Sequence, residues 1–72
     1  MSITLHAVSQ ASHALKKSSH PALRKLNVEG TRESLIISGQ VTSYYLKQLA
    51  QETIMPVRGE LSLVNRVAVV NA

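Results

Sequence analysis

The chain reads as one α+β domain of order α-β-β-α-β, a three-stranded mixed sheet packed by two helices. Three observations carry this expectation. Apolar residues recur at helical spacing near the start, at Leu5, Val8, Ala11 and Leu15. Leu35, Ile37, Gly39 and Val41 alternate with Ile36, Ser38 and Gln40, the period of a strand. An amphipathic stretch from Tyr44 to Ile54 follows after almost no loop, and a second alternating run from Leu61 to Val70 closes the chain.

The first helix is expected over residues 5–17, with residues 1–4 frayed and Ser2 or Thr4 available as a cap. Lys16 and Lys17 complement the negative end of its dipole. Ser18-Ser19-His20-Pro21 stops it, because the residue before proline is pushed out of the α region. Residues 23–28 read as an irregular strand with Leu26 and Val28 on one face, and residues 29–33 as the hairpin connection. The second strand spans 34–41. Its Gly39 lacks a Cβ, as expected where another element approaches closely.

The second helix is expected over 43–54, capped by Thr42 or Ser43. With Thr42 as cap, Val41 and Leu46 would form a hydrophobic staple. Leu46, Leu49, Ala50 and Thr53 make its inward stripe, with Ile54 at the flank. Pro56 and Gly59 end the helical region, and the third strand takes 61–70. The expected core is Leu15, Leu26, Val28, Leu35, Ile37, Val41, Leu46, Leu49, Ala50, Leu63, Val67 and Val69.

Seventy-two residues allow one domain with a thin stability margin. There is no cysteine, so neither a disulfide framework nor a thiolate metal site adds to that margin. The core must rely on Leu, Ile and Val, since Phe and Trp are absent and Tyr44 and Tyr45 are the only aromatics. Eight Lys/Arg against four Glu give a net charge of +4, spread along the chain with pairs only at Lys16-Lys17 and Arg24-Lys25. That balance is compatible with weak attraction to a polyanion such as an acidic lipid surface or nucleic acid, and is also common in proteins that bind neither. No apolar run is long enough to cross a bilayer, and the first residues lack the pattern of a secretory signal. A cytoplasmic location is the expectation, unless the chain is excised from a longer precursor.

The order and spacing of these motifs resemble the BON domain family. That family's second strand carries V-x-L-x-G-x-V, matched here by Leu35, Ile37, Gly39 and Val41. Its last strand follows G-V-x-x-V-x-N-x-L-x-V, and Gly59, Leu63, Asn65, Val67 and Val69 fall at the same spacings. Ser18 to Arg24 and Tyr44 to Gln51 look like short single-domain bacterial members of planctomycete type. Two positions depart. Glu60 replaces the usual Val or Ile after Gly59, and Glu33 stands where the family has glycine before the second strand. The resemblance implies a non-enzymatic binding module associated with membranes and phospholipid, and it brings no catalytic set and no cofactor.

The residue chemistry on its own does not identify a function, and it offers no catalytic or metal centre. His6, His13 and His20 recur every seven residues, about 10.5 Å along a helix axis, too far apart to share one ion. They read as solvent-facing. Gly30, Gly39 and Gly59 stand alone, so no loop cradles phosphate. Serines lack a nucleophile-elbow context, and four scattered glutamates do not pair for hydrolysis. Asn65, on an otherwise apolar face, is expected to bond backbone and fix the register of the last strand.

Two surfaces are left as candidates. Tyr44, Tyr45 and Lys47 form an aromatic and basic patch suited to a headgroup region, with one tyrosine expected to pack and the other to face water. Ile36, Val64, Arg66, Ala68 and Val70 would share the outward sheet face and suit a second copy or another protein. Nucleic acid is disfavoured as a partner, because the sheet carries no aromatics to stack bases. The function expected is attachment to a phospholipid surface or a membrane-associated partner, with self-association through the sheet face as the alternative.

Overall fold

The computed structural model describes residues 3–70, with side chains from residue 5 onward, and its architecture is the expected one. Helix α1 spans Ile3–Lys16 and is followed by a one-turn helix α2, Pro21–Arg24. Strands β1 (Asn27–Gly30) and β2 (Ser34–Val41) form a hairpin. Helix α3 (Tyr44–Ile54) runs into a 3-10 turn over Met55–Val57, and β3 (Ser62–Val69) completes the chain. The sheet order is β1-β2-β3, with β1 antiparallel and β3 parallel to the central β2. Parallel neighbours need a crossover, and α3 supplies it.

Several boundaries differ from the sequence expectation. Ile3 and Thr4 already belong to α1, so Thr4 is no cap, and the expected fraying of Met1 and a cap at Ser2 lie outside the described residues. Residues 23–28 are not one strand. Pro21 occupies the first helical position after an extended His20, where its missing N–H costs nothing, and a single turn forms before β1 begins at Asn27. The strand then runs on through Glu29 and Gly30, which pair with Ile36 and Leu35, leaving residues 31–33 as the connection. Ser43 caps α3, its Oγ accepting from the Leu46 N–H at 3.2 Å, so the staple expected with Thr42 as cap does not form.

All three helices lie on one face of the sheet, over a core that joins Ala11 and Leu15 of α1, Leu23 of α2, and Ala50 and Ile54 of α3 to Leu35, Ile37, Val41 and Val67. Leu46, Leu49, Val28, Leu63 and Val69, expected inside, are only half-buried at its border. The stripe of α3 is therefore rotated toward Ala50 and Ile54, because α1 closes on that flank with the small side chains of Ala7 and Ala11. In so narrow a sheet both outer strands are edges, which leaves Val28, Leu63 and Val69 half-covered while Val67 stays buried.

Gly39 behaves as a close-approach glycine. Its φ is +133°, and a Cβ there would sit 2.6 Å from Leu26 Cδ2. Leu26, arriving from the α2–β1 junction, fills the space over β2 that a side chain would take.

Candidate functional site

The fold gathers the charges that the sequence scatters. β2 delivers the chain directly to α3, so the first turn of α3 stands at the end of the sheet where β1 begins and β2 and β3 finish. The close of α1 and the whole of α2 meet it there, with the His20 ring edge-on to Tyr45, centroids 6.3 Å apart and planes at 73°. This end holds Lys16, Lys17, Arg24, Lys25 and Lys47 and no acid. All four glutamates lie toward the opposite end: Glu33 in the hairpin, Glu29 beside Ile36, Glu52 in the last turn of α3 and Glu60 before β3. Arg32 and Arg58 sit with them. At about 3.3 Å per residue, the eight-residue strands separate the two ends by about 25 Å. Glu33 and Glu60 thus lie about three Debye lengths from the cationic end at physiological salt, while Glu29, on β1, and Glu52, on α3, stand nearer to it.

Both tyrosines project from this end. Tyr44 is 77% and Tyr45 65% exposed, so neither is the packing partner expected of one of them. The reason is helical phase. Ala50 and Ile54 set the inward direction of α3, and the first two helical positions fall outside it. Lys47 Nζ lies 6.0 Å from the Tyr44 ring centroid, at the outer limit of a cation–π contact. The first turn of α3 carries no acid, and Lys47 adds positive charge where the dipole is already positive. The charges of Lys47 and the helix terminus therefore add, and this end of the molecule is electropositive.

Sequence reasoning missed His20. It was expected to face water but is half-buried against Tyr45, and the α2 turn that brings it there was not foreseen. Arg24 is tied to the same loop by a bond from Nη1 to the Ser18 carbonyl at 3.1 Å. The α1 surface beside this end carries a shallow groove lined by Val8, Ser9, Ser12, His13 and Lys16.

The second candidate surface, the outward sheet face, is covered by no helix among the described residues. Ile36 and Val64 are direct neighbours across β2 and β3 and are half-buried against one another. Arg66, Ala68 and Val70 are exposed. Asn65 turns inward and has a structural role. Its Nδ2 donates to the Lys47 carbonyl at 3.1 Å and to Gln51 Oε1 at 3.4 Å, while its Oδ1 accepts the Val67 N–H at 3.0 Å. It thus ties β3 to α3 and occupies a donor on the open edge of the sheet.

Among the described residues no three His, Cys, Asp or Glu side chains are placed to hold a metal ion, and no helix is long and apolar enough to cross a membrane. No buried side-chain polar atom among them lacks a partner. Comparison with protein-family models, with curated proteins and with solved structures found no match for this chain.

Proposed function

We propose that the chain is a non-catalytic, BON-like binding module that attaches to an anionic phospholipid surface, or to a membrane-associated partner presenting the same charge. The contact is the cationic end: Tyr44, Tyr45 and Lys47 at its centre, with Lys16, Lys17, Arg24 and Lys25 around them. The observation that carries the reading is the coincidence of two exposed tyrosines with five cations and no acid at one end of the fold. Tyrosine rings suit the depth of lipid headgroups, and each Lys or Arg near an acidic leaflet contributes about 1 kcal/mol. Five such charges give at most about 5 kcal/mol, so binding through charge alone is weak, near the millimolar range, and reversible.

A second reading rests on the open outward face, where Ile36 and Val64 form an apolar pair with no helix over it. It makes the chain a protein-docking or self-association module. Salt separates the two. Raising ionic strength from about 0.1 to 1 M shortens the Debye length from about 10 to 3 Å and should release a charge-held lipid surface, but not an apolar contact.

The test is an amide NMR titration with vesicles of phosphatidylcholine alone and of phosphatidylcholine with phosphatidylserine, at both salts. Shifts or broadening at Tyr44–Lys47 with the anionic vesicles only, reversed by salt, are expected. A spectrum indifferent to anionic vesicles at low salt removes the lipid reading.

A further inference from the structure

We propose that the exposed edge of β3 pairs with the β3 edge of a second copy, antiparallel about a two-fold axis at Val64, to give a continuous six-stranded sheet. This goes beyond the lipid contact and uses a different part of the molecule. The direction of the backbone groups comes first. Ser62 N–H bonds to the Glu33 carbonyl and Val70 N–H to the Val41 carbonyl, so the even-numbered residues of β3 face β2. Strand alternation turns the N–H and C=O of Leu63, Asn65, Val67 and Val69 outward, to an edge along which no strand lies among the described residues.

Two of the donors near that edge are already engaged. Asn65 Oδ1 holds the Val67 N–H at 3.0 Å, and the Leu61 N–H bonds to the Arg58 carbonyl at 3.1 Å. These two bonds select the register. An antiparallel pair of strands needs facing residues that exchange both of their hydrogen bonds. With the axis at Asn65, Leu63 would face Val67, whose N–H is taken; with the axis at Leu63, Asn65 would face Leu61, whose N–H is also taken. With the axis at Arg66, the two guanidinium groups would face each other and Val67 would again be needed. The axis at Val64 is the one whose two central pairs, Leu63 against Asn65 of the second copy and Asn65 against its Leu63, both keep free donors, with the engaged groups falling outside them. The next pair out, Leu61 against Val67, is closed on both sides, so the ladder stops where the two bonds stop it.

The side chains agree with this register. Val64 meets Val64 of the second copy in the closely spaced type of pair, which extends the Ile36–Val64 row into a four-residue apolar stripe across the joined sheets. Arg66 faces Ser62 of the second copy. The half-exposed inward residue Leu63 gains Asn65 of the second copy as a neighbour.

The experiment is sedimentation equilibrium of the full chain from micromolar to millimolar concentration, with amide hydrogen exchange measured across the same range. The expected result is a mass rising from 7.8 kDa toward twice that value, with the Leu63 and Asn65 amides gaining protection as it rises. Val64→Lys sets two ammonium groups against each other on the outer face and should weaken dimerisation by about tenfold or more. A monomer melt by circular dichroism checks that the variant folds, and the exchange data on the unaltered chain stand without it. A mass fixed at 7.8 kDa at millimolar concentration overturns the proposal. So does a dimer in which Leu63 and Asn65 exchange as fast as in the monomer, since it must then associate through another surface.

Discussion

Replacing Gly39 by alanine should destabilise the domain by about 2–5 kcal/mol, and the size follows from two separable terms. A φ of +133° is a conformation that L-residues rarely adopt, at a cost of about 1–3 kcal/mol. The new Cβ would also come within 2.6 Å of Leu26 Cδ2, and Leu26 is itself buried, so the core must be overpacked by about 1–3 kcal/mol or shift. A smaller gain of about 0.4–1 kcal/mol from the stiffer unfolded chain offsets part of this. Against a total stability of about 4–11 kcal/mol for a chain of this length, the loss is severe. Urea unfolding followed by circular dichroism gives the value directly. Two further variants separate the terms. Gly59→Ala meets nothing within 4 Å at a φ of +61°, so it should show only the backbone cost of about 1–2 kcal/mol. In a Leu26→Ala background the contact with Cδ2 is gone, so adding Gly39→Ala should cost only the backbone term. A Gly39→Ala protein within about 0.5 kcal/mol of the parent would refute both the φ assignment and the approach of Leu26.

Other outcomes follow from the packing. Ile54→Ala should cost about 2–5 kcal/mol, because the side chain is fully buried, whereas half-buried Leu49→Ala should cost visibly less; thermal melts that reverse this order would place the α3 stripe back on Leu49. Ser43→Ala removes the only side-chain cap described on α3 and should lose about 1 kcal/mol, with Ser43→Gly losing only a few tenths, as read by chemical denaturation. The double change Tyr44→Ser with Tyr45→Ser should leave the melting temperature within a few degrees while weakening retention on anionic vesicles in a flotation assay; unchanged retention moves the contact away from α3.

The sequence made the fold legible because its signals are local. Alternation in Leu35–Val41 and Leu63–Val69 and the spacing through Leu46–Ile54 depend on residues close in the chain. The four-residue turn Pro21–Arg24 is too short to show a helical period, so along the sequence residues 23–28 carry only the pattern of a strand. Leu49 and Ile54 lie on adjoining faces of one helix, and the choice between them waits on which side α1 approaches. Asn65 was legible as a backbone-bonding residue from its place among aliphatics; its particular partners, Lys47, Gln51 and Val67, were not.

By itself, then, the chain determined its two long helices, its three strands, their order and the sheet type, and marked position 39 as a glycine inside a strand, since sterics and periodicity act over a few residues. Only the tertiary structure decided that cations from residues 16 to 47 share one end with both tyrosines and that the glutamates gather at the other. It also decided that Asn65 closes one donor of an otherwise open edge. Charge placement and edge exposure depend on strand register and helix crossover, which bring together residues remote in the chain; no pattern along the sequence encodes those distances.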